Sequence, residues 1–239
     1  MPQEFIYTPP QDPFLSILFD DGAVMVVDKP TGLLSVPGKK KEYHDSILSR
    51  VRQRYPAAQA VHRLDLGTSG VMAVGLTKAS VSALGRQFMH RTPRKVYVAR
   101  VWGIVREDEG RIDMPMRTDL DNRPYQIVDY EHGRSAITYY QVLRRLEGEN
   151  VTVVRLYPQT GRSHQLRLHL QQIGHPILGD HLYASREAFD ASDRLCLHAA
   201  ALSFDHPSSG ERMEFCAPAP FDLGGVGIGT DWLGQCPFG

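Results

Sequence analysis

The stretch Val71-Met72-Ala73-Val74-Gly75-Leu76 limits the fold more than any other, because it carries no polar side chain over six positions. A continuous apolar run of this length reads as a buried core strand. Ile17-Leu18-Phe19 and Ala23-Val24-Met25-Val26-Val27 supply two more strands around the turn signal Asp20-Asp21-Gly22. Residues 95–103 alternate and read as another. Strands resume over residues 133–140 and 151–156, with Gly148-Glu149-Asn150 as the turn, and a last one falls at 195–204. Helices are few. Asp45-Ser46 opens one that runs to about Tyr55, with Ile47, Leu48 and Val51 on one face. Residues 78–90 form a second, with Val81, Leu84 and Phe88 at helical spacing. Leu166, Leu168 and Leu170 alternate as a strand would. Ser163 as an N-cap and Gly174 as a C-terminal stop favour a helix there instead. The pattern predicts an α+β domain on a long, mostly antiparallel mixed sheet, with flanking helices and a central cleft.

The core strand is fed by His62-Arg63-Leu64-Asp65-Leu66-Gly67-Thr68-Ser69-Gly70. Asp65 therefore sits on a loop entering a rigid element, where a scaffold presents reactive groups. Taken alone it reads more readily as a turn residue that caps backbone amides.

The 239 residues suffice for one large domain or two small ones, and the 42% apolar fraction for a core. Residues 1–16 hold four prolines, Pro2, Pro9, Pro10 and Pro13, and read as an extended arm. Residues 17–219 are expected to make one domain, which carries Asp65. Residues 220–239, rich in glycine, are expected to be a flexible tail. Residues 113–130 are polar and aperiodic, and read as a long excursion between strands. No apolar run spans a bilayer, and Met1-Pro2-Gln3-Glu4 does not begin like a signal peptide, so a cytoplasmic protein is expected. Cys196, Cys216 and Cys236 lack CxxC spacing and read as reduced thiols. The net charge of zero argues mildly against nucleic acid. Yet Arg86, Arg91, Arg94, Lys95 and Arg100 fall within one segment that has no acid. Arg50, Arg52 and Arg54 form a second cluster and Lys39-Lys40-Lys41 a third. A local basic face can bind phosphates when the total is neutral.

His62-Arg63-Leu64-Asp65 followed by Thr68-Ser69-Gly70 resembles the signature of the RluA-type pseudouridine synthases. The resemblance runs from about Ile17 to Pro218. Lys29-Pro30-Thr31-Gly32-Leu33 with Pro37, Lys95-Val96-Tyr97-Val98-Ala99 and Gly161-Arg162-Ser163-His164-Gln165-Leu166-Arg167 match further blocks in family order. Within the family the chain is most similar to the short form that modifies both 23S ribosomal RNA and transfer RNA. About sixteen residues precede the first strand, too few for the S4 domain of larger relatives. The resemblance implies the synthase fold, an isomerase, RNA stem-loops as partners and a base-flipping mechanism with no cofactor and no metal. DNA and membrane are not expected partners, and a monomer is expected.

The resemblance makes Asp65 the catalytic carboxylate. Tyr97 stacks on the target uracil, and its hydroxyl serves in the final proton removal. Arg63 enters the RNA and fills the place of the flipped nucleotide. Arg167 is the expected charge partner of Asp65, since an isolated buried carboxylate would protonate. Arg91, Arg94, Lys95 and Arg162 are expected to bind RNA. The loop at residues 29–38 reads as a structural turn, with Lys29 set apart as the one residue that a function might claim. His62, His164, His169 and His175 read as scaffold, and Thr68 and Ser69 as turn-formers. Two rivals fare worse. A base-flipping zinc deaminase needs a PCxxC element, and a methyltransferase a glycine-rich loop after its first strand; neither is present. A non-catalytic RNA-binding module leaves a carboxylate unexplained where it would repel phosphate.

Overall fold

A computed structural model of the chain describes residues 6–235 and 237. The first five residues of the arm, Cys236 and residues 238–239 of the tail lie outside them. In chain order the elements are β1 (Ile17–Asp20), β2 (Val24–Lys29), α1 (Ile47–Arg52), β3 (Gln59–Ala60), β4 (Ser69–Gly75), α2 (Lys78–His90) and β5 (Arg94–Trp102). There follow β6 (Glu109–Asp113), β7 (Met116–Thr118), β8 (Gln126–Val128), β9 (Ile137–Leu146), β10 (Val151–Pro158), α3 (Gln165–Gln172), α4 (Arg186–Asp190), β11 (Leu197–Asp205), β12 (Arg212–Cys216) and α5 (Asp231–Gly234). The fold is α+β. Its chain divides into two compact units, where one domain over 17–219 was expected. The first comprises Met1–Pro93 with Ser203–Phe215, the second Arg94–Leu202 with Cys216–Gly239.

In the first unit β4 pairs antiparallel with β2, from Val24 opposite Gly75 to Lys29 opposite Gly70. On its other side β2 takes β1, and the short β3 also pairs with β4. Every β4 residue is buried, as the apolar run predicts. Ser46 caps α1 and Thr77 caps α2, each reciprocally with the serine three residues on. Such a cap is worth about 1 kcal/mol. The arm is extended but pinned. The Tyr7 hydroxyl donates to the Asp45 carbonyl at 2.8 Å and accepts the Leu34 amide at 3.0 Å. Buried Arg50 grips Asp45 with two nitrogens, both at 2.7 Å, and donates to the carbonyls of Pro10 and Phe14. This removes Arg50 from the basic cluster that the sequence suggested for phosphate: its five N–H donors are better satisfied holding the arm.

In the second unit the order is β11-β5-β10-β9-β6, and β10 pairs antiparallel with both neighbours. Period-two alternation splits β5 between two apolar clusters. Tyr97, Ala99 and Val101 pack with Leu156, Leu166 and Leu170; Val96 and Val98 pack with Val153, Tyr157, Trp232 and Leu233. This corrects the expected flexible tail. Both faces of this sheet are apolar, α3 covers one, and α5 covers the other with buried Trp232 and Leu233. Arg155 is shared with it, lying 5.0 Å from the Trp232 ring and donating to Gln235 at 2.6 Å. Burying such side chains contributes about 1.5–3 kcal/mol each, which glycine-rich composition does not reveal. The excursion at 113–130 is likewise ordered. β7 and β8 form an antiparallel hairpin, and its tip is closed by Asp119 accepting the amides of Asp121 and Asn122. Helix α3 forms where expected, but its N-cap is His164, left-handed at φ 56°, and not Ser163.

Two buried histidines of this unit make its stability depend on pH. Burial lowers the His198 pKa to about 4, despite its bond to the Ala217 carbonyl. Burial likewise lowers that of His169, which bridges Thr138 and the Met114 carbonyl. Unfolded, a histidine titrates near about 6.5. The stability held by the neutral ring is thus complete above that pH and is lost as pH falls toward about 4. For His198 the loss is on the order of 3 kcal/mol. Thermal melts should show Tm falling steeply from pH 7 to 4.5, and His198→Gln should flatten that slope. A parallel slope in the variant would refute the assignment.

Candidate active site

The first unit carries Asp65. A turn closes behind it, with the Thr68 amide donating to the Asp65 carbonyl at 3.1 Å. Four residues of the loop at 29–35 fix the same turn. The buried Lys29 ammonium donates to the carbonyls of Leu66 at 3.2 Å, Leu33 at 2.6 Å and Pro30 at 2.9 Å. The Thr31 hydroxyl donates to Gly67 at 2.8 Å, and the Gly32 amide to Leu66 at 2.9 Å. The Ser35 hydroxyl donates to the Leu64 carbonyl and accepts its amide, at 2.7 and 3.0 Å. Gly32 adopts φ 77°, the left-handed conformation that its turn requires. The backbone on both sides of Asp65 is therefore tied down, while its carboxylate is only half-buried and Arg63 is exposed. Such preorganisation lets a carboxylate act without rearranging its surroundings. The loop read as a plain turn is thus the clamp of the Asp65 loop.

His62 is scaffold, as expected: its ring stacks on Phe88 at 4.4 Å and its Nε2 accepts the Ala73 amide at 3.0 Å. Replacing Lys29 by Met would leave three carbonyls without this donor at about 1–3 kcal/mol for each that finds no substitute. We expect Lys29→Met to lose stability by about 2–4 kcal/mol and turnover more than RNA affinity. Urea unfolding and single-turnover rates check this, and wild-type values in both would show that the clamp is dispensable.

The second unit carries Tyr97 and Arg167. Tyr97 is half-buried on β5, opposite Leu156, with its ring against the α3 side of the sheet. Arg167 is buried on α3 and forks onto Asp180, Nε to Oδ2 at 2.7 Å and Nη2 to Oδ1 at 2.6 Å. Burial would raise the Asp180 pKa; the Arg167 bonds and charge, with the amides of Leu182 and Tyr183, outweigh it and lower the pKa. Sequence reasoning did not foresee the pairing of this arginine with Asp180. The available signal was Gly179, at φ 71°, directly before an acid in a tight loop. The start of α3 is held by Gln165, which accepts from the Thr160 hydroxyl and the Arg162 amide and donates to Ile137 and Thr138.

Of the residues expected to meet RNA, Arg91 is exposed at the left-handed end of α2 (φ 62°). Lys95 and Arg94 are half-buried on β5, and Arg94 donates to the Leu233 carbonyl at 3.4 Å. Arg162 donates to the Ser135 carbonyl at 3.2 Å. Among the described residues no group of three or more His, Cys, Asp or Glu side chains is arranged to hold a metal ion. None of their helices is long and apolar enough to cross a membrane.

Comparison with known proteins gives these positions a context. The sequence model of the RNA pseudouridylate synthase family matches residues 23–172, a span that includes Asp65, Tyr97 and Arg167. The chain is 53% identical over 215 residues to the dual-specificity RNA pseudouridine synthase RluA of Escherichia coli K12, covering 90% of this chain and 98% of the relative. The protein of the same name from Vibrio vulnificus is 50% identical over 218 residues, with 90% and 87% covered. Among solved structures, human RNA pseudouridylate synthase domain containing 1 superposes with a TM-score of 0.72 at 29% identity, covering 92% of this chain and 87% of that one. Human RNA pseudouridylate synthase domain containing 4 gives 0.67 at 25% identity, with 86% and 88% covered.

Proposed function

The chain belongs to the RNA pseudouridylate synthase family, and from that premise we propose that it isomerises uridines in stem-loops of both 23S ribosomal RNA and transfer RNA. The dual specificity is supported by the names of the Escherichia coli and Vibrio relatives, the first of which this chain spans almost in full, and the choice of the two RNAs follows the resemblance to the short form of the family. One observation carries the site assignment: the clamp of Lys29, Thr31, Gly32 and Ser35 on the loop around Asp65.

The reaction conserves every atom. The C1′–N1 bond of uridine breaks, a C1′–C5 bond forms, C5 loses a proton and N1 gains one. It needs a carboxylate and a pocket that keeps the base while it turns. In this proposal Asp65 supplies the carboxylate as nucleophile or base. Tyr97 offers its ring for stacking and its hydroxyl for the loss of the C5 proton. Arg167, forked onto Asp180, supplies a positive charge to the reaction. Arg63, exposed beside Asp65, takes the place in the RNA stack that the flipped nucleotide leaves. Arg91, Arg94, Lys95 and Arg162 contact phosphates. Unstacking costs a few kcal/mol and is cheapest in a loop, which favours hairpin loops as targets. The protein acts as a cytoplasmic monomer, without DNA or membrane.

An isolated anticodon stem-loop should be modified about as fast as intact transfer RNA. Each phosphate-contacting cation removed should lower the salt slope by about one. Tritium release from RNA labelled at uridine C5, with no cofactor added, measures both. An inert stem-loop beside reactive intact RNA would place recognition well beyond these residues and refute the proposal.

A further inference from the structure

Helix α3 and the β7–β8 hairpin of the second unit meet at one side chain, Tyr183. Its hydroxyl accepts the backbone amide of Gln126, the first residue of β8, at 2.9 Å. The same hydroxyl shares a hydrogen bond with Nδ1 of His164, the left-handed residue that starts α3, also at 2.9 Å. Its ring covers the guanidinium of Arg167, with Cζ 5.2 Å from the ring centre. The Tyr183 amide also donates to Asp180, the carboxylate that grips Arg167. One residue thus touches the hairpin, the helix start, the arginine and the arginine's counter-charge. The hairpin side is exposed to solvent at Leu120 and Tyr130, and Tyr125 stands edge-on to the Tyr183 ring at 5.8 Å. The Gln126 amide is spent on Tyr183 and not on the β7 ladder, so the contact sets where the hairpin lies.

We propose that Tyr183 is the positioning residue of Arg167, joining it to the β7–β8 hairpin so that the hairpin's placement on RNA and the orientation of the arginine are set together. This rests on the assignment of Arg167 to the reaction. The physical basis is rigidity: a guanidinium held by a fork on one side and a ring on another has one orientation, and a small misplacement of a reacting group is costly. RNA that shifts the hairpin would move the Gln126 amide and, through the Tyr183 hydroxyl, the ring over Arg167.

Tyr183→Phe keeps the ring and deletes the link; Gln126→Pro deletes the donor from the other side. Each should lower the single-turnover rate constant at saturating RNA by about tenfold, with KM changed far less than kcat. The double variant should be no slower than the slower single variant. Losses that multiply would show two independent effects and overturn the coupling. So would wild-type rates in Tyr183→Phe. Were Tyr183→Phe unable to fold, Gln126→Pro alone decides: a wild-type rate refutes the link, a tenfold loss with an unchanged melting temperature supports it. Arg167→Lys run alongside separates the layers. If it retains the wild-type rate, the role of Arg167 and this proposal fall together. If it is slow while both link variants are fast, only the coupling falls.

Discussion

Asp65→Asn should bind RNA with affinity within a few-fold of wild type and form no detectable product. The fold should survive because the bonds that shape this turn use backbone atoms of residues 64–68: the carbonyls of Leu64, Asp65, Leu66 and Gly67 and the amides of Leu64 and Thr68. The amide has nearly the same shape, so the melting temperature should stay close to wild type. What disappears is a group able to attack as a nucleophile or to take a proton. Loss of a residue on which the chemistry depends costs on the order of 10⁴-fold or more in rate. Tritium release and single-turnover product analysis measure this, and filter binding measures affinity. A rate within tenfold of wild type would remove Asp65 from the chemistry and reduce it to the turn residue that its surroundings alone suggest.

Tyr97→Phe should leave binding and stability nearly intact and arrest the reaction before the C5 proton is lost. The ring packs against Leu156 and its neighbours on the α3 side of the sheet, and phenylalanine keeps that packing. Stacking of a base on an aromatic ring, worth about 1–3 kcal/mol, is also kept. Only the hydroxyl goes. A positioned acid or base contributes roughly 10²–10⁴-fold, so the rate on uridine RNA should fall by that factor. RNA bearing 5-fluorouridine has no proton at C5, so its capture by the variant should match that by wild type. Equal losses on both RNAs would mean that the hydroxyl acts earlier, and no loss on either would leave Tyr97 a stacking platform.

The elements of this fold follow from local physics. The apolar run at 71–76 became the fully buried β4, and Thr77 with Ser80 set the start of α2 where the periodicity placed it. Those signals are legible because hydrophobic period and capping act over a few residues. The position of Asp65 on a loop entering a core strand was legible for the same reason, and the RluA-type motifs carried the role proposed for it. The sequence alone therefore determined the α+β class, most strands and helices, and the place of Asp65 on its loop.

Only the tertiary structure decided which partners hold the candidate site residues. Lys29 and Ser35 reach Leu66 and Leu64 across about thirty positions, through side chain-to-carbonyl bonds that leave no periodic trace. Arg167 found Asp180 thirteen positions on, across the loop that follows α3, while Arg50 spent its charge on the arm. The last turn of the chain packed onto the sheet because β5 and β10 presented a second apolar face, a fact visible only once strand order was fixed. Side-chain hydrogen bonds and face coverage depend on which segments meet in space. That meeting depends on the global balance of burial and chain entropy, which no short window of sequence contains.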